Sequence, residues 1–208
     1  MNFKASIRCF VLLLGWIPAV VQAQDRPPAV GGVAALKVGG SLHGLFSELG
    51  PAVSTELEGG VHLLGGRLEV VLGAGWDRPS SSGSGDDSRF DAGSFSWNLD
   101  QDFLMFHLCA RYRFLDGGSG YNVYAGAGPR LLLMRTVVQG TSGDEALGEN
   151  RQTETRLGVV LQAGGEYKLG PGAVLLEMAL GVGSLEGLIT GESSSSALTL
   201  LVGYRYRF

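Results

Sequence analysis

Residues 198–208, LTLLVGYRYRF, alternate between two kinds of side chain. Large apolar or aromatic residues stand at every second position: Leu198, Leu200, Val202, Tyr204, Tyr206 and Phe208. The positions between them include Thr199, Gly203, Arg205 and Arg207. A period of two is typical of a β-strand with one apolar face and one polar face. The stretch therefore predicts a strand, and the question is whether the rest of the chain follows the same pattern.

Seven more segments alternate in the same way: residues 34–46, 52–64, 67–76, 102–114, 121–135, 156–169 and 174–183. Their apolar faces are bulky and continuous, whereas the opposite faces mix glycine with charged residues. Bulky residues facing lipid and small or charged residues facing a lumen are typical of a transmembrane barrel. Each segment is long enough for a tilted span, which needs about 9–11 residues. The sequence predicts an all-β fold, an eight-stranded antiparallel up-and-down transmembrane β-barrel over residues 33–208.

The connections between these segments alternate in length. Residues 65–66, 116–120 and 170–173 form short links, while residues 77–101, 138–155 and 184–196 form long polar ones; the first outer link, residues 47–51, is short. Outer-membrane barrels have short periplasmic turns and longer outer loops. This pattern predicts that both chain termini are periplasmic. Phe95 and Trp97 stand at odd positions, whereas Leu104 and Phe106 stand at even positions. One regular strand would place the two pairs on opposite faces, so the sequence predicts a bulge or loop break near residues 100–102.

Residues 1–23 are typical of a secretory signal peptide. Lys4 and Arg8 precede the short apolar core FVLLLGWI (10–17), and small residues precede a cleavage site between Ala23 and Gln24. The alternative is a membrane-anchoring helix, but the apolar run is shorter than the roughly 20 residues that a span needs. Residues 24–32 are then a short periplasmic segment. Cleavage changes the formal net charge from −4 to −6, because it removes two basic residues and no acidic one.

The segments YAGAGPRLL (124–132), GGEYKL (164–169) and VGYRYRF (202–208) carry a family resemblance. The chain resembles the small outer-membrane β-barrel domain family, which includes porin-like and opacity-protein-like barrels. The resemblance implies a bacterial outer-membrane location, contact with outer-membrane lipid and lipopolysaccharide, and folding by the barrel-assembly machinery. It implies an assembly signal formed by four alternate residues: Val202, Tyr204, Tyr206 and Phe208. The alternative reading, that this segment pairs with the first strand to close the barrel, is compatible with the signal.

The candidate functional residues are charged residues on the strand faces that are predicted to point into the lumen: Glu69, Arg111, Arg130, Glu166, Glu177 and Arg205. An eight-stranded barrel is only wide enough to be filled by side chains, so these charges must pair. Depth counting predicts the pairs Glu69–Arg111 and Glu177–Arg205, and an arginine between Glu166 and Glu177. The lumen is expected to be a salt-bridged plug, and the alternative is a charged conduit.

Other functional classes have weaker support in the sequence. No basic stretch suits nucleic acid, and no cofactor motif or catalytic serine–histidine–acid set is evident, so an enzyme is not expected. His43 and His62 lie too far apart in depth to share a metal ion, and Cys109 is expected to fill space in the lumen. The predicted function is structural or surface interaction through acidic outer loops, which contain Asp86, Asp87, Asp91, Asp144, Glu145, Glu149, Glu186 and Glu192. The alternative is a narrow channel for small solutes or a conduit for apolar molecules.

Overall fold

A computed structural model of the chain describes residues 30–43, 49–89, 93–115, 119–183 and 196–208. The signal peptide, its cleavage site at Ala23 and Gln24, and most of the segment 24–32 lie outside the described residues. Within these ranges no helix has both the length and the apolar character needed to cross a membrane.

The described residues form nine β-strands and one short 3-10 turn. The strands are β1 (Gly31–His43), β2 (Ala52–Leu63), β3 (Leu68–Asp77), β4 (Ser80–Asp86), β5 (Ser94–Arg113), β6 (Tyr121–Ser142), β7 (Glu145–Leu169), β8 (Gly172–Gly183) and β9 (Ala197–Arg207). All the pairings between neighbouring strands are antiparallel.

Eight of these strands close into a barrel. The order runs β3-β2-β1-β9-β8-β7-β6-β5, and a direct pairing of β3 with β5 completes the ring. Beside the β1–β9 seam, Gly32 and Phe208 exchange two backbone hydrogen bonds of 2.6 and 3.0 Å. The predicted eight-stranded antiparallel barrel is confirmed. β4 lies outside the ring and pairs only with the outer part of β5.

One end of the barrel has tight turns, and we call it the inner end. Leu64–Gly66 links β2 to β3, and Gly65 and Gly66 have φ values of 65° and 86°, which favour glycine. Residues 170–171 link β7 to β8. β1 begins and β9 finishes at this same end. The opposite end is called the outer end.

The outer end differs from the predicted loops. Residues 80–86 and 94–100 form a β-hairpin, and β6 and β7 continue to a turn at residues 143–144, where long loops were expected. We call β4 and the outer parts of β5, β6 and β7 the outer wall. It is a sheet of four strands that extends outward beyond the outer ends of β1, β2, β8 and β9. Residues 184–195 lie outside the described part of the chain.

The bulge expected near residues 100–102 is wrong. β5 pairs with β6 in one register from Ser96 to Arg113. Phe95 and Trp97 therefore keep the inward parity of Leu99 and Phe103. Their rings lie against Gly85 and Gly83 of β4, where any side chain would collide with them.

The outward face of the barrel is apolar and exposed over most of its height. Leucine and valine side chains such as Leu36, Leu72, Leu161 and Val202 are about half exposed. Exposed aromatic residues surround the inner end: Tyr112, Phe114, Tyr121, Tyr167, Tyr204 and Phe208. Such a band with an aromatic border matches the lipid-facing surface of a membrane barrel.

A charge placed in this band tests its role. Leu161→Arg is expected to lower the free energy of unfolding in phospholipid vesicles by about 2–4 kcal/mol, because the guanidinium enters hydrocarbon. The matched control is Leu147→Arg on the same strand, in the outer wall, with an expected change below about 0.5 kcal/mol. Equal losses for the two variants in urea titrations would contradict the lipid-facing assignment.

The lumen as candidate functional site

Ten charged side chains from seven strands form one ion-pair network inside the inner half of the barrel. The five carboxylates are Glu56, Glu58, Glu69, Glu166 and Glu177, and the five cations are Lys37, Arg111, Arg113, Arg205 and Arg207. The formal charges of these ten side chains cancel. Eight members of this lumen network are buried and two, Arg113 and Arg207, are half-buried; all alternate with the outward apolar residues of the same strands.

Lys37 has three carboxylate neighbours in the centre of the network. Its Nζ lies 2.7 Å from Glu56 Oε1, 2.7 Å from Glu58 Oε1 and 2.6 Å from Glu177 Oε1. Glu56 is its direct partner across the β1–β2 pairing, whereas Glu177 reaches it from β8. The side chain of Lys37 has no solvent exposure. One ammonium group on β1 thus links carboxylates of β2 and β8, two strands that are not neighbours in the sheet.

Tyr124 holds two arginines in the same network. Its hydroxyl donates a hydrogen bond of 2.7 Å to Glu177 Oε2. The guanidinium carbons of Arg111 and Arg205 lie 5.6 and 4.7 Å from its ring centroid. Cation–π attraction and the shared carboxylate offset the repulsion between the two arginines. Sequence reasoning missed Tyr124, although its position on the inward parity of β6 was a usable signal.

The structure contains one of the two predicted ion pairs. Arg205 lies 3.7 Å from Glu177 and 3.1 Å from Glu166, so it is the arginine expected between those two glutamates. The predicted pair Glu69–Arg111 is wrong. These residues face each other across β3 and β5, but Arg111 forms its ion pairs with Glu58 and Glu177.

Glu69 is neutralised from the inner end instead. Arg207 Nη2 lies 2.9 Å from Glu69 Oε1, and Arg205 Nη1 lies 3.6 Å from Oε2. The long side chains of Arg205 and Arg207 thus reach a carboxylate on β3, which is not a neighbour of β9 in the sheet. Depth counting along strands therefore paired Glu177 with Arg205 correctly but did not find the partners of Glu69.

Arg130, the remaining predicted lumen charge, lies apart from the network, in the outer half of the lumen. It is buried, and Nη1 lies 3.9 Å from Met105 Sδ. Gly181 faces the guanidinium of Arg130, and because glycine has no side chain, the guanidinium can occupy the space beside it. An apolar cluster occupies this half of the lumen: Phe103, Met105, Leu132 and Met134. Cys109 is fully buried among apolar side chains at mid-depth.

Ser41, His43 and Asp77 meet at the outer end of the lumen, a grouping that sequence reasoning also missed. Ser41 Oγ and Asp77 Oδ2 both lie 3.0 Å from the same atom, His43 Nε2. A catalytic triad needs the acid on one ring nitrogen and the hydroxyl on the other. The ring is also stacked on Phe103, with centroids 4.5 Å apart. The arrangement is suited to holding the ring in place.

Three potential metal ligands have donor atoms within 4.8 Å of one another: Glu56, Glu58 and His107. Lys37 already lies 2.7 Å from both carboxylates, and Arg111 is ion-paired with Glu58. A metal ion would have to displace these cations. Sequence reasoning considered a metal site shared by His43 and His62. The potential ligands that lie together in the structure instead include the third histidine, His107.

Acidic residues of the outer wall are partly neutralised by neighbours. Arg89 Nε donates to Asp87 Oδ2 at 2.9 Å, and these hydrogen bonds hold the pKa of Asp87 below its ordinary value. Gln139 donates to Glu149 Oε2 at 3.0 Å, and Arg151 is ion-paired with the same carboxylate. Among the predicted acidic loop residues, Asp91, Glu186 and Glu192 lie outside the described residues.

The four residues of the predicted assembly signal lie at the inner part of β9 and just beyond it. Val202, Tyr204 and Phe208 are exposed on the outward face. The rings of Tyr206 and Phe208 stack with centroids 5.9 Å apart. These residues also belong to the closing seam, since Val202, Tyr204 and Tyr206 pair with β1.

Comparison with known proteins adds information about the fold. No protein-family model matches the chain, and no curated protein matches it. Neisserial surface protein A is a similar solved structure, with 20% identity and a TM-score of 0.51 over 86% of this chain and 97% of that one. A major outer membrane protein from Thermus thermophilus has 16% identity and a TM-score of 0.50 over 85% of this chain and 99% of that one. The chain has the fold of small outer-membrane β-barrels.

Removing the Tyr124 hydroxyl tests its place in the network. Tyr124→Phe is expected to lower the free energy of unfolding by about 1–3 kcal/mol, because Glu177 loses a donor in a buried site. Tyr112→Phe, on the exposed outward face, is the matched control and should change stability by less than about 0.5 kcal/mol. Urea titration in vesicles measures both variants, and a neutral Tyr124→Phe would show that the hydroxyl is dispensable.

Removing the Lys37 charge is expected to have a larger effect. Lys37→Met leaves three carboxylates facing one another and should cost about 3–5 kcal/mol. Lys168→Met, an exposed lysine at the inner end, is the control with little expected effect. Adding Glu177→Gln to Lys37→Met should restore part of the loss, because it removes one uncompensated charge. Strictly additive losses in this double-mutant cycle would contradict direct coupling.

Proposed function

We propose that the protein is an integral outer-membrane barrel with both termini periplasmic, a lumen closed to solutes, and a non-enzymatic role exerted at the cell surface by the outer wall. The exposed apolar band and the fold shared with outer-membrane barrels support the location. The tight turns at the end where β1 begins support the orientation, because short turns are periplasmic in such barrels.

The lumen network is the observation that carries the proposal of a closed lumen. Ten side chains of balanced charge meet across the inner half, and Lys37 contacts carboxylates of β2 and β8 at 2.6–2.7 Å. Opening a path for ions requires separating several of these pairs at once. Each separation exposes a buried charge without its partner, which is costly.

The outer wall supports a role at the surface. It extends beyond the apolar band, and its outward face carries serine, threonine and charged side chains that suit contact with water or a ligand. Ser96 and Thr141 illustrate this face, since their hydroxyl oxygens lie 2.8 Å apart across two strands. Ser41 and Asp77 both lie beside the same nitrogen of His43. A catalytic triad needs them on different ring nitrogens, so this geometry supports a non-enzymatic role.

Single-channel recording tests the closed lumen. The mature chain, refolded into a planar bilayer, is expected to show no discrete conductance steps, because the network blocks the lumen. Insertion is verified independently by heat-modifiable electrophoretic mobility and by protection of the strands from protease. The Lys37→Met/Glu177→Gln variant, with two members of the network removed, serves as the comparison and should conduct more readily if it remains folded.

Reproducible open steps in the unmodified chain would overturn the closed lumen. They would favour the second candidate, a narrow channel for small solutes, with the ten network charges as determinants of its ion selectivity.

The Ser82→Cys substitution in a Cys109→Ala background tests orientation, because Ser82 lies on β4 in the outer wall. Labelling of intact cells by a membrane-impermeant thiol reagent is expected. The Cys109→Ala chain without the second substitution is the control and should stay unlabelled. Absence of labelling in a folded Ser82→Cys protein would contradict a surface position of the outer wall.

A further inference from the structure

We propose that the base of the outer wall binds the phosphate groups of lipid A, the membrane anchor of lipopolysaccharide. The inference rests on the proposed outer-membrane orientation, and it concerns a surface distinct from the lumen. It follows from which side chains lie directly above the apolar band on the outward face.

The outermost row in which β3, β5 and β6 all carry apolar residues is fixed by strand register. Trp76 on β3 pairs with Leu104 on β5, and Leu104 pairs with Leu133 on β6. Trp76 and Leu104 are exposed on the outward face. A tryptophan at this height is typical of the border between hydrocarbon and headgroups.

The next row outward is charged. Asp102 on β5 pairs with Arg135 on β6, and Arg135 pairs with Thr153 on β7. Arg78 follows β3 on the other side of Asp102, with its Nε 3.7 Å from Asp102 Oδ1. The row Arg78–Asp102–Arg135–Thr153 therefore sets two guanidinium groups and a hydroxyl at the level where lipid phosphates lie.

Both arginines have charge available for a ligand. Arg135 forms no ion pair within 4.0 Å among the described residues, although it lies beside Asp102 in the sheet. The side chain of Arg78 is 53% exposed, and its contacts with Asp100 and Asp102 are long, at 3.4 and 3.7 Å. Exposed pairs of this length contribute little energy, so a phosphate can compete for the guanidinium.

Among the described residues, the row of charges directly above the apolar band lies on the side of the barrel that carries the outer wall. On the opposite side, the outward residues near the outer ends of β8, β1 and β2 are apolar and exposed: Val182, Leu42 and Val53. Guanidinium groups bind phosphate through two parallel hydrogen bonds, which an apolar rim cannot supply. A phosphorylated glycolipid in the outer leaflet would place its acyl chains along Leu104 and Leu133 and its phosphate at Arg78 and Arg135.

Titration of the folded protein with lipid A tests this site. Native mass spectrometry of the detergent-solubilised protein measures the dissociation constant for bisphosphorylated and dephosphorylated lipid A, with EDTA present to remove divalent cations. The Arg78→Gln/Arg135→Gln variant is expected to bind the bisphosphorylated form about tenfold more weakly, since it loses two charge-assisted contacts. The dephosphorylated form should bind the variant and the unmodified chain equally.

Two single variants sharpen the result. Arg151→Gln is the matched control, because Arg151 lies further out and is ion-paired with Glu149; it should bind like the unmodified chain. Asp102→Asn should strengthen binding, because it removes the carboxylate between the two arginines. Unchanged binding by the double arginine variant, or equal binding of both lipid forms by the unmodified chain, would overturn the inference. Weaker binding by Asp102→Asn would do the same, since it would assign the carboxylate an attractive role.

Failure of this inference can be distinguished from failure of the proposed function. A barrel that conducts ions but still prefers bisphosphorylated lipid A overturns the closed lumen and supports the lipid site. A silent barrel without that preference supports the closed lumen and overturns the lipid site.

Discussion

The pairing of every backbone group in the barrel wall is the constraint on which the rest of the structure depends. In hydrocarbon, an unpaired N–H or C=O group has no water to bind, so the sheet has to close. The β1–β9 and β3–β5 pairings provide that closure. Closure with eight strands makes the lumen narrow, and side chains then have to fill it. The chemistry of those side chains follows from the strand alternation, which places residues such as Lys37 and Glu58 inside whenever Leu36 and Leu57 lie outside.

The charges inside this narrow lumen are stabilised collectively. Lys37 has three carboxylate neighbours, and Arg205 is shared among four, so the network has no set of separate pairs. A sequence therefore predicts which residues point inward more readily than it predicts their partners. Depth counting placed Glu69 and Arg111 at similar depth on neighbouring strands, and the register agrees. Their partners depend on side-chain length and on competing arginines at the inner end, which no local pattern encodes.

The outer wall shows a second limit of sequence reasoning. Segment 80–86, SSSGSGD, has the composition of a loop, yet it forms β4 because β5 offers a paired edge and because Gly83 and Gly85 leave room for Trp97 and Phe95. Tertiary pairing outweighs the low β-propensity of serine and glycine. The signal for this extension was the alternation of residues 95–99, in which Phe95, Trp97 and Leu99 stand at every second position. The grouping of Ser41, His43 and Asp77 likewise depends on strand register, since it joins residues of β1 and β3.

The two halves of the molecule follow different physical rules, and the boundary between them lies at a single row of the sheet. Below that row, a charge is tolerated only inside, where the lumen network neutralises it. Above it, charges such as Asp100 and Arg151 stand on the outward face, because water replaces hydrocarbon. Arg78, Asp102 and Arg135 occupy the first row beyond the change, where neither hydrocarbon nor bulk water surrounds a side chain in an outer leaflet. In the proposed lipid site, charges at this height interact with lipid headgroups because of their position in the sheet. On that proposal, strand register determines the contact with the membrane as well as the contents of the lumen.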